Sequence, residues 1–330
     1  MPKKNKVKKL YKKNENLLNN SLDEIECIKV IKSEKITYLQ RLKDGTICSG
    51  TELGNIYIYN QNNFVEIIKI SEHIDYIFYI IQLKNENIIS SSRDNIIKII
   101  QLNNFHFITY TIIKVFNNED YAIKIIELSN NKLFTSFNKG FIKIYQYIEN
   151  NKKMLYQEEI ILKFDYLIES SLELKNKNYL ILGSSKEDFI RIVDLFEYKN
   201  IKEVGKIYNC RLLDVICQLN DKYFIVGGVD VIYLIQISSF KIIHEIKTKS
   251  YFSKCILLNN QTLLTLDFSM EFKGQLINWK LKNGRLEIIG EKKGILKNWS
   301  SSIIQLDNNN LAIGEINGIK IWKILNFNYI

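Results

Sequence analysis

Residues 75–100 read DYIFYIIQLKNENIISSSRDNIIKII, a stretch in which three β-rich runs are separated by two polar turns. The first run ends at Leu83, the turn KNEN follows at 84–87, and the second run covers 88–92. A tight turn at 93–95 leads into the third run at 96–100. Runs rich in Ile, Tyr and Phe between clusters of Asn, Asp and Ser are typical of antiparallel strands. This stretch therefore predicts three strands joined by two turns.

The same pattern recurs along the chain, each time around a leucine that follows an apolar run and precedes a polar turn. Seven such leucines lie 39 to 48 residues apart, and Asn or Asp follows each within three residues: Leu42, Leu83, Leu128, Leu174, Leu219, Leu258 and Leu306. Regular spacing of this length is the signature of a repeat architecture. Because each repeat needs its neighbours to bury its faces, we expect residues 21–330 to form a single domain.

Six repeats also carry a fourth β-rich run, which would form the outer strand of a sheet: 64–70, 108–115, 154–161, 201–207, 241–246 and 286–290. The seventh repeat has only residues 326–330 left after its third run, which is too short. A strand-like run at 24–31 precedes the first repeat, and pairing it with residues 318–324 would cover the open edge. The prediction is an all-β, seven-bladed β-propeller of four-stranded antiparallel blades, with the last blade closed by the N-terminal strand.

The third runs resemble those of the WD-repeat β-propeller family, in which a Gly-x-Ile-Lys-Ile run leads into Trp-Asp. The matching stretches are GNIYIYN at 54–60, GFIKIYQ at 140–146, FIRIVD at 189–194, GQLINWK at 274–280 and GIKIWK at 318–323. Trp279 and Trp322 keep the tryptophan and Asp194 keeps the aspartate, but no repeat has both. Other propeller families remain an alternative, although the doubled glycine of kelch repeats occurs once, at 227–228.

The second repeat also resembles this family in its polar residues. His73 and Asp94 stand where the family has two members of a structural hydrogen-bonded tetrad, and Ile100 replaces the tetrad's tryptophan. The resemblance implies that His73 is a structural residue rather than a catalytic one.

The N-terminal residues 1–20 are predicted to be a basic disordered tail with seven lysines: Lys3, Lys4, Lys6, Lys8, Lys9, Lys12 and Lys13. One acid, Glu15, accompanies them, so six of the chain's ten net positive charges belong to the tail. The rest of the chain is nearly neutral for its size, which argues against a nucleic-acid groove in the folded body. We expect the tail to be a solvated end, with contact to RNA phosphates or a nuclear address as alternatives.

No local pattern typical of catalysis or metal binding occurs. No HxH or HExxH pair is formed by the three histidines His73, His106 and His244, and no GxSxG or phosphate-binding loop is present. No CxxC pair is formed by the five cysteines, which we expect to be reduced thiols packed as small hydrophobes: Cys27, Cys48, Cys210, Cys217 and Cys255. We therefore expect no enzyme activity, cofactor, metal or small-molecule substrate, with a site gathered from several blades as the alternative.

No apolar stretch long enough to span a membrane occurs, and the N-terminus lacks the apolar core of a secretory signal. We expect a cytoplasmic protein without membrane contact, with a nuclear location as the alternative.

Aromatic and charged residues recur seven and eight positions before the repeat leucines. In WD-repeat proteins these positions border a rim where partners dock, so the resemblance implies a partner-binding rim, which we name the predicted rim: Asp75, Tyr76, Asp120, Tyr121, Tyr166, Arg211, Tyr251 and Trp299. Tyr, Trp and Arg often dominate interface energetics. The alternative is that these rings pack between blades at the start of each first strand.

The predicted function is a non-catalytic scaffold that mediates protein–protein interaction in a larger assembly. The alternative function is an RNA-associated component of a ribonucleoprotein particle that uses the lysine-rich tail.

Overall fold

The computed structural model describes residues 25–105, 107–150, 153–175, 177–184, 186–187, 189–197, 200–205, 215–268, 274–295, 302–307 and 309–324. The predicted tail at residues 1–20, Arg211 and Trp299 lie outside the described residues.

The described residues form strands and turns, without a helix. The strands of the first half are β1 Ile25–Lys32, β2 Ile36–Arg41, β3 Ile47–Thr51, β4 Ile56–Tyr59, β5 Glu66–Ile70, β6 Ile77–Gln82, β7 Ile88–Ser92, β8 Ile96–Phe105, β9 Phe107–Asn117, β10 Ala122–Glu127, β11 Lys132–Phe137, β12 Phe141–Asn150 and β13 Lys153–Lys163. Those of the second half are β14 Ser170–Leu174, β15 Tyr179–Gly183, β16 Phe189–Asp194, β17 Asn200–Gly205, β18 Val215–Gln218, β19 Tyr223–Gly227, β20 Val229–Gln236, β21 Lys241–Leu257, β22 Leu263–Phe268, β23 Gln275–Lys282, β24 Arg285–Lys293, β25 Ser302–Gln305, β26 Leu311–Glu315 and β27 Gly318–Ile324. Accordingly, no described segment is a helix long and apolar enough to cross a membrane.

Among the described residues, the strands pair into six antiparallel sheets. Four sheets each contain four consecutive strands: β2–β5, β6–β9, β10–β13 and β14–β17. A fifth sheet runs from β18 to β24 without interruption, and the sixth has the order β1-β27-β26-β25. In the sixth sheet β1 pairs with β27, from Ile25 opposite Ile324 to Lys32 opposite Gly318. A strand from the start of the described chain thus forms the edge of a sheet made by its end.

In the fifth sheet, the sequence predicts two separate strands around residue 250, the outer strand of one repeat and the first strand of the next. The structure has one continuous strand there, β21. Lys241–Lys247 of β21 pairs with β20, and Tyr251–Leu257 pairs with β22, so one strand of 17 residues serves both sides. The joining residues KTKS at 247–250 include no Gly or Pro. Since those residues are the usual breakers of an extended run, the backbone continues from one half of the sheet into the other.

The repeat leucines begin the turns between first and second strands and are all buried. In the first repeat, the Leu42 N–H donates to the Thr46 carbonyl at 2.9 Å, and Gly45 adopts a φ of 87°. The Asp44 side chain closes the same turn by accepting from the Thr46 N–H at 2.9 Å. The residue three positions after the leucine also has a positive φ in four further turns: Glu86, Asn131, Gln261 and Asn309. The Asp or Asn side chain after five of the leucines accepts from a backbone N–H within its own turn and so serves turn formation: Asp44, Asn85, Asn130, Asn220 and Asn260.

Successive sheets pack face to face through buried apolar clusters. One cluster joins Ile319 and Ile321 of β27 to Ile47 of β3, with Ile31 of β1 packed in the same cluster. In the described part of the chain seven such clusters occur, and each joins sheets, or halves of the β18–β24 sheet, that follow one another. The sheet containing both β1 and β27 contacts the β2–β5 sheet on one side and the β21–β24 half-sheet on the other. The core is therefore distributed between sheets.

Polar bridges accompany this packing. In each bridge, the donor is the backbone N–H of the residue that directly follows one repeat leucine. The acceptor is the side chain of the residue that directly precedes the next repeat leucine along the chain. The pairs are Lys43 to Gln82 at 2.6 Å, Lys84 to Glu127 at 2.6 Å, Ser129 to Glu173 at 2.9 Å, Lys175 to Gln218 at 2.9 Å and Asn259 to Gln305 at 2.9 Å. We call these contacts the side-chain bridges. Each of these five bridges ties one sheet to the sheet that follows it in the chain.

Two repeats depart from the bridge pattern. Between the last repeat and the first, the donor and acceptor roles are exchanged. Arg41, which directly precedes Leu42, donates from its side chain to the carboxylate of Asp307, which directly follows Leu306. Gln61 adds a second donor to the same carboxylate at 2.7 Å, and these two hydrogen bonds lower the pKa of Asp307. In the sixth repeat the residue before the leucine is Leu257, which has no polar atom in its side chain.

Truncating Ile31 tests the packing of β1. Ile31 is 8% exposed in the cluster that joins β27 to the β2–β5 sheet, whereas Ile28 on the same strand is 42% exposed. Ile31→Ala should lower the free energy of unfolding by about 2–4 kcal/mol, because it leaves a cavity. Ile28→Ala should cost less than about 1 kcal/mol. Urea unfolding measures both, and equal small losses would contradict the packing of β1 against its neighbours.

Replacing Glu173 tests the side-chain bridges. Its carboxylate accepts from both the N–H and the hydroxyl of Ser129, at 2.9 and 2.6 Å. Glu173→Ala should lower the unfolding free energy by about 1–2 kcal/mol, since a charge-assisted hydrogen bond is lost. The matched control is Glu66→Ala, an exposed glutamate on β5, which should lie within about 0.5 kcal/mol of the wild type. Identical melting curves for the two variants would argue that the bridge contributes nothing.

Candidate functional site

The loop between β5 and β6 is fixed by a buried polar group. The Nδ1 atom of His73 lies 2.8 Å from an oxygen of Asp94, and its Nε2 atom lies 2.9 Å from the hydroxyl of Ser90. Asp94 also accepts from the backbone N–H groups of Ile74 at 3.3 Å and Ile96 at 3.0 Å. The expected pairing of His73 with Asp94 is therefore present, and Ser90 is a third member that the sequence reading did not identify.

The tryptophan part of this arrangement occurs elsewhere in the chain. The indole N–H of Trp279 on β23 donates to the hydroxyl of Thr265 on β22 at 3.0 Å. Trp279 lies opposite Leu263, two residues before Thr265, just as Ile100 lies opposite Ile88, two residues before Ser90. The two repeats therefore hold complementary parts of one hydrogen-bonding pattern at equivalent positions.

Asp94 titrates in a setting that favours its charged form. Burial acts to raise its pKa, but the hydrogen bond and charge of His73 and the backbone N–H groups of Ile96 and Ile74 outweigh burial, so the pKa of Asp94 is lowered. This carboxylate is held by its own loop and turn and serves their structure.

The two aspartates of the predicted rim also accept hydrogen bonds from nearby backbone N–H groups. The carboxylate of Asp75 accepts from the N–H of Tyr76 at 2.7 Å, and the Asp75 carbonyl accepts from the Ser92 hydroxyl at 2.8 Å. Asp120 is buried, and its carboxylate accepts from the N–H of Lys139 in the turn between β11 and β12. The structure thus engages both side chains in turn formation.

Two aromatic residues of the predicted rim meet through a third. The ring of Phe78 lies 5.0 Å from that of Tyr76 and 4.8 Å from that of Tyr121, with an interplanar angle of 4° in the second pair. The ammonium group of Lys35 lies 6.0 Å from the Tyr76 ring centre. We call Tyr76, Phe78 and Tyr121 the aromatic row. Phe78 was not among the residues predicted from the sequence, because the predicted rim was taken only from the positions seven and eight before each repeat leucine.

Tyr166 belongs to a different cluster, around the guanidinium group of Arg191. That group lies 5.6 Å from the ring centres of Tyr166 and Phe164 and 4.9 Å from that of Phe189. Arg191 also donates to the Tyr166 hydroxyl and pairs with Glu187 at 3.3 Å. Burial, followed by the interactions with Glu187, raises the pKa of the Tyr166 hydroxyl. The ring is thus one wall of a cation–π cluster.

Tyr251 is the one remaining residue of the predicted rim that the structure describes. Tyr251 is 42% exposed and lies opposite Val229 and Phe268 at the middle of β21. Arg211 and Trp299 lie outside the described residues. The structure therefore brings Tyr76 and Tyr121 together and assigns Tyr166 to another cluster.

Exposed aliphatic side chains occur on the same side of the sheets as the aromatic row. Leu53 in the β3–β4 turn is 60% exposed, Ile74 in the β5–β6 loop is 87% exposed, and Ile316 in the β26–β27 turn is 46% exposed. Strands alternate in direction, so turns between second and third strands share one end of the sheets with loops that lead into first strands. We call this end the apolar face. A search for apolar residues in turns would have found these three side chains in the sequence.

The turn with Leu53 packs against the loop with Ile74. Gly54 has a φ of 81°, and a Cβ atom added there would lie 2.5 Å from the carbonyl oxygen of His73. Only glycine permits this approach, since any side chain would clash with backbone. The close contact brings together the backbones of the turn that carries Leu53 and the loop that carries Ile74.

No group of three or more His, Cys, Asp or Glu residues within the described ranges could hold a metal ion.

Solved structures share this architecture. The WD40 β-propeller domain of Doa1 matches with a TM-score of 0.68 and 11% identity, over 91% of this chain and 96% of that domain's chain. A chain in a crystal structure of the mitotic checkpoint complex matches with a TM-score of 0.73 and 10% identity, over 93% of each chain. No protein-family description and no curated protein matches the sequence. At these identities the likeness shows the fold alone, and the chain has an all-β, WD40-like β-propeller fold.

Removing the charge of Asp94 should change the acid stability of the protein. The lowered pKa of Asp94 means that its stabilising effect is complete above the unfolded-state pKa of about 3.9 and is lost as the pH falls through the folded-state pKa. Between about pH 5 and pH 3, Asp94→Asn should therefore lose less unfolding free energy than the wild type. Urea titrations at both pH values measure this difference. The exposed control Asp221→Asn should follow the wild type, and parallel losses in all three proteins would contradict the assignment.

Proposed function

We propose that this protein is a non-catalytic scaffold that binds a protein or peptide partner on the apolar face. The observation that carries the proposal is the exposure of Ile74, at 87%, on a loop held by the buried His73–Asp94 pair. An apolar side chain on a fixed loop loses little conformational freedom on binding, so its burial contributes to affinity with a small entropic cost. The WD40-like fold is consistent with this role, because such folds are typically interaction scaffolds.

The proposed surface combines the aromatic row with the exposed aliphatic residues. Ile74 and Leu53 supply apolar area, and Tyr76 follows Ile74 closely in the chain, so the aromatic row starts beside the aliphatic pair. Apolar and aromatic residues at the centre of a patch with charges around it are typical of protein interfaces. The proposed partner-binding residues include the whole predicted rim: Asp75, Tyr76, Asp120, Tyr121, Tyr166, Arg211, Tyr251 and Trp299. To these we add Leu53, Ile74 and Phe78.

We further propose that the sheets close into a ring of seven four-stranded blades. In this proposal the two halves of β21 belong to adjacent blades, and β1 completes the last blade. Support comes from the pairing of β1 with β27 and from the clusters that join each sheet to the next. A closed ring would keep the apolar face rigid, since no blade could tilt without disrupting two neighbours.

The alternative of RNA association depends on the tail lysines, which lie outside the described residues. No observation within the described part of the chain favours it, and it remains a prediction from the sequence.

Ile74→Glu tests the proposed surface, with Phe196→Glu as the matched control. Phe196 is 76% exposed and lies in the turn between β16 and β17, at the opposite end of the sheets. Each variant places a charge on an exposed apolar position, so the unfolding midpoint of both should stay close to that of the wild type. Quantitative affinity purification from the cells that make this protein should recover at least one partner about tenfold less with Ile74→Glu than with Phe196→Glu. Equal recovery of every partner with both variants would contradict the proposal.

A further inference from the structure

Two cysteine side chains meet between the halves of the β18–β24 sheet. Cys217 lies on β18 and Cys255 on the second half of β21, and both pack partly buried against one apolar cluster with Leu219 and Trp279. The two thiols are within hydrogen-bonding reach of each other, and Cys217 also donates to the Gln218 carbonyl at 3.7 Å. Both residues precede a repeat leucine, so the contact joins the first strands of consecutive repeats.

This contact lies where the side-chain bridges are interrupted. The bridging position of the sixth repeat is occupied by Leu257, and the N–H that would donate to it, that of Asn220, donates to the Tyr223 carbonyl at 3.3 Å. The thiol pair therefore lies between the fifth and sixth repeats, where the side-chain bridge from a glutamine or glutamate is missing.

The environment of Cys217 favours its thiolate. The hydrogen bond from Cys255 lowers the pKa of Cys217, burial opposes this effect, and the charge of Lys175 adds to the lowering. Other described cysteines behave differently, because burial raises the pKa of Cys48 to about 12 and also raises the pKa of Cys27. The thiolate is the form of cysteine that reacts with oxidants.

We propose that Cys217 and Cys255 form a reversible disulfide when the protein meets a hydroperoxide, and that this disulfide fastens the two halves of the β18–β24 sheet. Both residues are partly exposed, and a hydroperoxide is a small oxidant that needs little space to reach them. This goes beyond the expectation that all cysteines remain reduced thiols, and it is independent of the proposed partner binding.

The reaction takes place in two steps. In the first, the Cys217 thiolate attacks one peroxide oxygen, the S–O bond forms, the O–O bond breaks, and the leaving oxygen takes up the thiol proton as water. In the second, the Cys255 sulfur attacks the Cys217 sulfenic acid, the S–S bond forms, and the S–O oxygen leaves as water with the Cys255 proton. Each peroxide accepts two electrons, and the two thiols supply them. With an organic hydroperoxide, the first leaving group is the alcohol.

Peptide mapping of the peroxide-treated full-length protein tests the proposal. After treatment with hydrogen peroxide and blocking of remaining thiols, mass spectrometry should find a linked peptide containing Cys217 and Cys255, and a dithiol reductant should remove it. The linked protein should unfold at a midpoint higher by on the order of 5 °C, because the crosslink restrains the unfolded chain. Linkage without a higher midpoint would overturn the fastening role.

Four single variants sharpen the result. Cys27→Ser should link like the wild type, and so should Cys210→Ser, whose position lies outside the described residues. Cys217→Ser should not link. Cys255→Ser should stop at a Cys217 sulfenic acid that dimedone traps. The proposal is overturned if the folded wild type gives only sulfinic acid at Cys217, if linkage occurs only in urea, or if Cys210 or Cys27 forms the crosslink instead.

Discussion

Burial of each sheet against the next is the constraint on which the rest of this structure depends. A single four-stranded sheet here has apolar residues on both faces. In the second repeat, the adjacent strand residues Ile88 and Ile89 point to opposite faces of the sheet, and both are buried. Such a sheet cannot be stable alone, because both of its apolar faces would remain in water. The side-chain bridges add specific polar contacts to this apolar packing, since each joins a backbone N–H of one sheet to a glutamine or glutamate side chain of the next.

The same constraint explains the role of the chain's first strand. The last three strands have no fourth strand after them within the described residues, and β1 supplies the missing edge. Arg41 and Asp307 add a charged contact between the same two repeats, with the polarity of the bridge reversed. Packing from both sides holds the loops at one end of the sheets in place. Leu53 and Ile74 are exposed on a turn and a loop whose backbones contact each other at Gly54 and His73.

The sequence predicted the elements that local chemistry determines. The seven leucines are buried, the outer strands occur where expected, and His73 pairs with Asp94. Features that depend on neighbouring repeats were not predicted. The continuity of β21, the aromatic row through Phe78 and the clustering of Tyr166 with Arg191 arise from contacts between distant residues. The bridges were accessible in principle, because Gln82, Glu127, Glu173, Gln218 and Gln305 directly precede five of the leucines.

Disulfide crosslinking between β1 and β27 tests the central claim most directly. Val30 and Lys320 lie opposite each other in the two strands, so Val30→Cys combined with Lys320→Cys, in a chain that also carries Cys27→Ser, should form an intramolecular disulfide in the folded protein. Val30→Cys combined with Lys323→Cys, which is out of register, should not. Crosslinking of the first pair and not the second is the result this account predicts. Failure of the first pair to crosslink, or equal crosslinking of both, would contradict it.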